Sequence, residues 1–250
     1  MKSEGAISTG AIAARSALKK ALRVYLCTDR ALTLNRPLSQ AIDEAIGGGI
    51  TLLQLREKDA STGGFYGIAC RVQEAARAAG IPLIVNDRLD IALAVGAEGL
   101  HIGQSDLPVA AARRICDEYT GATKKKRLWI GVSAGTVEEA RSAERDGADY
   151  IGAGPIFPTG SKADAGDAIG LEGLKAITRS VHIPVVGIGG INADNTPQVM
   201  AAGSVGVAVI SAILSAPDIR QAAAAIRAAV SKAVPKNAWR DALGGRGMIQ

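Results

Sequence analysis

The sequence is poor in aromatic side chains, cysteine and histidine. Aromatic residues occupy 3% of the 250 positions, so few flat side chains are present on which bare nucleotides stack. Cys27, Cys70 and Cys116 form no CxxC pair, which argues against a zinc site and against a disulfide framework. We interpret them as reduced thiols of a cytoplasmic protein.

Long apolar runs are also missing. No run approaches the roughly 20 residues that cross a bilayer. The amino-terminal segment is rich in Ala, Ser and Gly and contains no compact apolar core before a cleavage site. We therefore expect residues 1–21 to form a flexible arm, with a transit peptide as the alternative, and residues 233–250 to form a C-terminal tail.

The net charge of +5 belongs to the two ends of the chain. Residues 1–23 and 227–250 each contain five Lys or Arg and one acidic residue, and the part between them is net negative. The KKKR run at 124–127 precedes a predicted strand, and we interpret it as a solvated loop. A nucleic-acid groove would place the basic surplus on the body of the fold. We therefore expect small-molecule partners, neither nucleic acid nor membrane, and leave a homo-oligomer open.

The sequence does contain eight short β-like runs that alternate with Ala-rich helical stretches. Strands separated by helices pair in parallel through right-handed crossovers. Eight such units in residues 22–232 predict a (β/α)8 TIM barrel, an α/β fold with one catalytic domain. A doubly wound open sheet is the alternative. The predicted strands are 22–28, 50–56, 82–86, 98–102, 127–132, 148–152, 184–188 and 205–210.

Polar or glycine-rich elements follow nearly every predicted strand. In a barrel these strand ends meet at one face, where the active sites of such folds lie. A purely structural barrel would not require polar residues at all of them. The elements in strand order are Gln54, Arg56 and Lys58; Asn86 and Asp87; Asp106; Ser133; the loop after strand six; GIGGI; and Ser211.

The second strand, in TLLQLREKD, ends in a cluster of charge. Side chains alternate along a strand, so Gln54, Arg56 and Lys58 lie on one side and Leu53 and Leu55 on the other. Two cations and an amide on one face suit a diphosphate.

Asp87 and Asp106 come just after neighbouring strands. Two converging carboxylates repel each other unless a hard cation joins them, and Mg²⁺ binds through one or two carboxylates together with substrate phosphate oxygens. The alternative is that each caps the helix that follows it. Beside the cations of strand two we favour the metal.

Two further elements have the chemistry of phosphate sites. The GIGGI turn and Ser211 follow strands seven and eight, where barrels bind phosphate, although a tight turn alone also explains the glycines. The loop after strand six is long and carries Thr159, Ser161 and Lys162, which suit a second anionic group unless the loop is a solvated turn. We expect Asp164 and Asp167 to be solvated.

The usual catalytic sets are absent from the sequence. We interpret His101 as a structural, hydrogen-bonded residue and place His182 at the far end of the barrel. No nucleophile elbow, Ser–His–Asp set or pair of Glu acids is recognisable. The chemistry therefore depends on positioned anions, a metal and a good leaving group.

Eight segments between about residue 22 and residue 232 follow one another in a recognisable order. They are YLCTD, QLREKD, IVNDRLDIA, GLHIGQSDLP, IGVSAGT, GADYIGAGPIFPTGSK, IPVVGIGGI and VAVISAI. Together they resemble the thiamine-phosphate synthase family. The resemblance implies a barrel transferase of thiamine biosynthesis that uses Mg²⁺. Such enzymes join 4-amino-5-hydroxymethyl-2-methylpyrimidine diphosphate to a thiazole phosphate, giving thiamine phosphate and pyrophosphate, by a dissociative reaction.

The resemblance also implies roles for individual residues. Asp87 and Asp106 correspond to Mg²⁺ ligands, and Arg56, Lys58, Ser133 and Lys162 to catalytic residues. The residues matching pyrimidine-diphosphate contacts are Gln54, Arg56, Glu57, Lys58, Asn86, Ser133 and Lys162. Those matching thiazole-phosphate contacts are Thr159, Ser161, Gly190, Ile210 and Ser211.

The sequence departs from the family pattern at two positions. Gly135 stands where the family often has His, and Ser161 replaces a Thr while keeping the hydroxyl. The alternatives are a related thiazole tautomerase-type barrel, a non-catalytic barrel that binds a phosphate ligand, and a barrel enzyme of the kind used in tryptophan synthesis. The last usually needs an acid–base pair, which we do not find.

Overall fold

The computed structural model describes residues 9–160 and 166–234, and its centre is a closed barrel of eight parallel strands. Each strand pairs with the next along the chain, and β1 closes the ring against β8. The (β/α)8 prediction is confirmed, and the open sheet is wrong. The strands are β1 Val24–Cys27, β2 Leu52–Leu55, β3 Leu83–Asn86, β4 Gly99–Ile102, β5 Trp129–Ala134, β6 Tyr150–Ala153, β7 Val185–Ile188 and β8 Val207–Val209.

Helices connect the strands and surround the barrel. All eight predicted helices are present, and a short 3-10 helix, Arg30–Leu32, follows β1. The α-helices are α1 Thr9–Ala21, α2 Leu38–Gly48, α3 Thr62–Ala79, α4 Leu89–Val95, α5 Val109–Thr123, α6 Val137–Arg145, α7 Gly170–Ser180, α8 Thr196–Ala201, α9 Ser211–Leu214 and α10 Ile219–Ala233. None of the described helices is long and apolar enough to cross a membrane.

Glycine ends the helices that run straight into a strand. Gly80 caps α3 at φ 69°, and Gly96 caps α4 at φ 65°. Each donates its backbone N–H to carbonyls of the last helical turn. This left-handed conformation is inexpensive only for glycine, which explains why the sequence has glycine where each chain segment turns back toward the barrel.

The strands separate two apolar layers. Because side chains alternate along a strand, Val24 and Leu26 pack outward against the helices, and Tyr25 and Cys27 point into the barrel. The inward layer is small and contains two tyrosines, which is unusual for a dry core. The buried residues of this inner cluster are Leu18, Ala21, Leu22, Tyr25, Cys27, Leu52, Ile84, Tyr150, Val186 and Ala208.

The described part of the amino-terminal segment, residues 9–21, differs from the expected arm, and residues 1–8 lie outside the described residues. Residues 9–21 form α1, and Leu18 and Ala21 are buried in the same cluster as Leu52 and Ile84. Thr51 donates a 2.8 Å hydrogen bond to the carbonyl of Ala21, which fixes the end of the helix to the barrel. Burial of this apolar face, which an Ala-rich sequence signals only weakly, is what orders α1 against the amino-terminal end of the barrel.

Candidate active site

A cavity of about 480 Å³ opens at the carboxyl ends of the strands. All eight strands or the loops after them contribute to its wall. Most of the residues predicted from the sequence are brought together here. They are Gln54, Arg56, Lys58, Asn86, Asp87, Asp106, Ser133, Thr159, Gly190, Ile210 and Ser211.

Three predicted site residues are not seen in this wall. Ser161 and Lys162 lie outside the described residues, as does Asp164, which was expected to be solvated. Glu57 points away from the cavity, and its Oε1 accepts a 2.8 Å hydrogen bond from Nε of Arg30. The alternation of side chains explains this, because Glu57 has the opposite parity to its neighbours Arg56 and Lys58.

Arg56 is held from two directions. Its backbone N–H donates to Oγ1 of Thr28 at 3.0 Å, and its Nη1 donates to Oδ2 of Asp29 at 3.1 Å. Both partners belong to the segment that follows β1. The guanidinium is therefore oriented by neighbours at the end of the adjacent strand.

Lys58, Asp87 and Asp106 form a charged cluster at the mouth. Nζ of Lys58 lies 3.3 Å from Oδ2 of Asp87, and Asp87 shares a hydrogen bond with Asp106. Burial, followed by the hydrogen bond and the charge of Asp106, raises the pKa of Asp87, while Lys58 opposes the rise. Oδ2 of Asp106 also accepts a 2.7 Å hydrogen bond from the N–H of Gly103.

Neither carboxylate caps the helix that follows it. The cap positions belong to Arg88 for α4 and Pro108 for α5. Asp87 instead adopts a left-handed conformation with φ 62°, which is uncommon for a residue with a side chain and marks a position under local constraint. The capping interpretation is wrong for both residues.

The two carboxylates fit a magnesium ion. They are hard oxygen donors that share a hydrogen bond, which requires one of them to carry a proton. A divalent cation would take the place of that proton and relieve the repulsion between the two carboxylates. Among the residues that the structure describes, no three His, Cys, Asp or Glu side chains gather into a metal site. Two carboxylates suffice for Mg²⁺, because it commonly keeps waters and takes substrate phosphate oxygens as further ligands.

The turn after β7 has room only for glycine. Gly189 and Gly190 have φ values of 96° and 64°. A Cβ at Gly190 would lie 2.7 Å from Cβ of Phe157 and 2.8 Å from the carbonyl oxygen of Pro158. The turn therefore packs directly on the loop after β6, which carries Thr159 into the same cavity. The tight turn and the predicted phosphate element are the same feature.

His101 is hydrogen bonded through both ring nitrogens, as expected of a structural histidine. Its Nδ1 lies 3.1 Å from the hydroxyl of Tyr150, and its Nε2 lies 3.0 Å from Oγ of Ser133. His182 is exposed and lies just before β7, at the opposite end of the barrel, as predicted.

Sequence reasoning missed the inward-facing tyrosines. Tyr25 lines the cavity, Tyr150 is fully buried beside it, and their hydroxyls are 2.9 Å apart. Burial raises the pKa of both phenols, so both remain neutral. The sequence did contain a signal. Both tyrosines occupy positions that the alternation of side chains directs into the barrel, where the neighbouring inward residues are apolar.

The fold and the cavity define the class of the protein, a (β/α)8 barrel whose cavity opens at the carboxyl ends of its strands and is lined there by charged side chains. The chain belongs to the thiamine monophosphate synthase family, whose sequence model matches residues 24–213. The resemblance noted from the sequence is therefore confirmed.

Named relatives agree with this assignment. The chain is 50% identical to the thiamine-phosphate synthase of Clostridium novyi over 200 residues, which covers 80% of this chain and 94% of that protein. It is 51% identical to that of Moorella thermoacetica over 210 residues, covering 84% and 96%. Among solved structures it is similar to thiamine phosphate pyrophosphorylase from Pyrococcus furiosus, with a TM-score of 0.78, 42% identity and coverage of 87% and 100%.

Proposed function

We propose that this chain is a thiamine-phosphate synthase, a transferase that moves a pyrimidinylmethyl group from diphosphate to a thiazole phosphate. The observation that carries the proposal is the cluster of Lys58, Asp87 and Asp106 at the cavity mouth, with Arg56 beside it. Cations and paired carboxylates together suit a metal-bound diphosphate, and neither alone would.

The pyrimidine diphosphate would contact the wall formed by β2, β3 and β5. Arg56 and Lys58 supply positive charge for the diphosphate, and Lys162 is assigned the same role by its position in the motif. Gln54, Asn86 and Ser133 supply neutral polar groups for the ring and the linking oxygen. Glu57 has no direct contact in this proposal, because its side chain pairs with Arg30.

Asp87 and Asp106 would hold Mg²⁺. When bound, the ion stabilises negative charge on the departing diphosphate. Lys58 lies within ion-pair distance of Asp87, so it neutralises part of the carboxylate charge and remains close to the phosphate oxygens.

The proposed reaction is dissociative. The bond between the pyrimidine methylene carbon and the diphosphate oxygen breaks, and its electron pair leaves with pyrophosphate. The thiazole nitrogen then donates its lone pair to the methylene carbon. Arg56, Lys58 and Lys162 stabilise the leaving group electrostatically, and Ser133 orients the ring; no side chain forms a covalent bond.

The thiazole phosphate would bind on the side formed by the loops after β6, β7 and β8. Thr159, Gly190, Ile210 and Ser211 line that side, and Ser161 extends it in the motif. A thiazole that carries a carboxylate would release CO2 in addition to pyrophosphate.

Product formation tests the proposal. Purified protein is mixed with both substrates, and thiamine phosphate is followed by chromatography with Mg²⁺ and with excess EDTA. We expect product that depends on Mg²⁺. Binding of both ligands without product would instead favour a non-catalytic barrel, and conversion of the thiazole alone would favour a tautomerase-type enzyme.

A further inference from the structure

Five side chains form one continuous hydrogen-bonded chain across the floor of the cavity. Nε2 of Gln54 donates to the hydroxyl of Tyr25, which lies 2.9 Å from the hydroxyl of Tyr150. The Tyr150 hydroxyl lies 3.1 Å from Nδ1 of His101, and Nε2 of His101 lies 3.0 Å from Oγ of Ser133. Five different strands contribute one residue each, so the chain depends on closure of the barrel.

The barrel is shaped to hold this chain. A Cβ at Gly131 would overlap the phenol ring of Tyr150, and a Cβ at Gly152 would lie 3.1 Å from Cε1 of His101. The Tyr25 and Tyr150 rings meet edge to face, with centroids 6.2 Å apart and an angle of 69° between their planes. Two glycines thus make the space that the aromatic members fill.

One consistent direction connects all four hydrogen bonds. Each neutral hydroxyl carries a single proton, and with Gln54 donating to Tyr25 that direction has Tyr25 donate to Tyr150. Tyr150 then donates to Nδ1 of His101, which makes Nδ1 the acceptor and leaves the ring proton on Nε2. Nε2 donates to Ser133, and the proton of Ser133 is left for a ligand.

This direction determines what the two ends offer. Gln54 uses one N–H within this hydrogen-bonded chain, which leaves Oε1 as an acceptor on the other side of the amide, and Ser133 keeps its proton to donate. Both residues line the cavity. An acceptor at Gln54 and a donor at Ser133 suit an exocyclic amino group and an unprotonated ring nitrogen.

We propose that Tyr25, Tyr150 and His101 are positioning residues that fix the hydrogen-bond polarity of Gln54 and Ser133, and that this polarity selects a 4-aminopyrimidine over a 4-oxopyrimidine. The inference rests on the proposed function for the identity of the ring. A 4-oxopyrimidine presents a carbonyl oxygen and a ring N–H, which is the inverted pattern. For Gln54 to donate at the position of Oε1, its amide must rotate. Tyr25 must then donate to Gln54, Tyr150 to Tyr25, and Nδ1 of His101 to Tyr150, which changes the tautomer of His101.

The test measures ring recognition without catalysis. The probes are the 4-amino and 4-oxo forms of 5-hydroxymethyl-2-methylpyrimidine monophosphate, which keep the ring and a phosphate but have a poorer leaving group. Calorimetry gives both Kd values for the wild-type protein, for Tyr150→Phe and for Tyr25→Phe. Tyr119→Phe is the matched control, because its hydroxyl bonds to the carbonyl of Leu93 outside this chain.

We expect the wild-type protein to prefer the amino form by about 100-fold or more, since sites built around hydrogen bonds reject the wrong pattern strongly. Tyr150→Phe should reduce that preference by about tenfold or more. It removes the hydroxyl that connects Tyr25 to His101, so the hydrogen bonds on either side of it can reverse independently. Tyr119→Phe should leave it unchanged. The Kd for the thiazole phosphate should be unchanged in all variants, which separates this effect from general damage.

Two results would overturn the inference: a wild-type Kd ratio near one, or an unchanged ratio in a folded Tyr150→Phe protein. If Tyr150→Phe does not fold, Tyr25→Phe interrupts the same chain and decides the question. The assay for thiamine phosphate is independent of this test. Product formation with an unchanged ratio rejects the inference alone, and a changed ratio without product rejects the proposed function alone.

Discussion

The carboxylate of Asp29 lies 3.1 Å from Nη1 of Arg56, across the gap between the ends of β1 and β2. The same side chain caps the short 3-10 helix, because its other oxygen accepts from the N–H of Ala31 at 3.0 Å. Asp29 is therefore fixed at one oxygen, and with the other it orients a guanidinium that lines the cavity. It shares no contact with the proposed substrates and acts through Arg56.

We predict that Asp29→Asn lowers kcat/KM for the pyrimidine diphosphate by about tenfold, because Arg56 loses its charged partner and a defined orientation. The Asn side chain retains the capping oxygen, so the free energy of unfolding should change little. Steady-state kinetics measure the effect. Asp90→Asn removes a comparable ion pair, with Arg88, outside the cavity wall and serves as the control. Wild-type kinetics in Asp29→Asn would show that Arg56 needs no orienting group.

Removal of either carboxylate should weaken the response to magnesium. We expect Asp87→Asn and Asp106→Asn each to lower kcat by at least about 100-fold, on the order of 3 kcal/mol in the barrier, and to raise the Mg²⁺ concentration needed for half-maximal activity. A Mg²⁺ titration after EDTA treatment measures this. Asp43→Asn, on the exposed face of α2, should leave the titration unchanged. Full activity of both cavity variants in EDTA would contradict the metal assignment.

The pKa of Asp87 predicts how magnesium affinity depends on pH. Burial and Asp106 raise this pKa above the ordinary value for Asp, so the protonated form persists to higher pH. A proton on Asp87 competes with the cation, and Mg²⁺ affinity should therefore fall as pH decreases through the raised pKa. Calorimetry at several pH values should also show proton release on binding. A flat affinity down to the ordinary pKa of Asp would contradict the expectation.

Gly80 and Gly190 allow the cost of backbone strain to be measured separately from the cost of a steric clash. Gly190 and Gly80 have similar φ values, 64° and 69°, but only Gly190 has atoms within 3 Å of an added Cβ. Gly80→Ala should cost about 1–2 kcal/mol of stability through strain alone. Gly190→Ala should cost more and should also raise the Kd for the thiazole phosphate by about tenfold or more. Chemical unfolding and calorimetry measure the two quantities; an unchanged Kd would remove the turn after β7 from the binding site.

Adjacent arginines in α5 provide a stability test away from the site. Arg113 is 8% exposed, bonds to Asp149 at 2.7 Å and also donates to the carbonyl of Leu128. Arg113→Ala should lower the free energy of unfolding by about 3 kcal/mol, because it leaves buried acceptors unpaired. Arg114, which pairs with Glu118 on the exposed face, should cost about 0.5 kcal/mol or less when changed to Ala. Equal losses would mean that burial of Arg113 contributes nothing.

The fold was predictable because every unit repeats the same pattern of apolar strand, polar strand end and Ala-rich helix. The site was largely predictable for the same reason, since the strand ends of a barrel converge. Glu57 shows that a motif does not place all of its residues in the site. Its neighbours Arg56 and Lys58 line the cavity, but the side chain of Glu57 points to the other side and pairs with Arg30.

Other features depend on distant partners. A tyrosine within a buried strand looks like core, and the two hydrogen-bond partners of the Tyr25 hydroxyl, Gln54 and Tyr150, are 29 and 125 residues away in the sequence. The position of α1 likewise depends on Leu52 and Ile84, which no local pattern connects to it.

The layer of Leu22, Leu52 and Ile84 beneath the tyrosines affects how ligands enter and leave. The cavity opens at the carboxyl ends of the strands, and these buried side chains close the barrel below it. Tyr25 and Gln54 lie within strands, whereas Thr159 and Gly190 lie in loops beyond the strand ends and nearer the opening. Because all ligands use this one opening, we expect the pyrimidine diphosphate to bind before the thiazole phosphate closes the way to the deeper position.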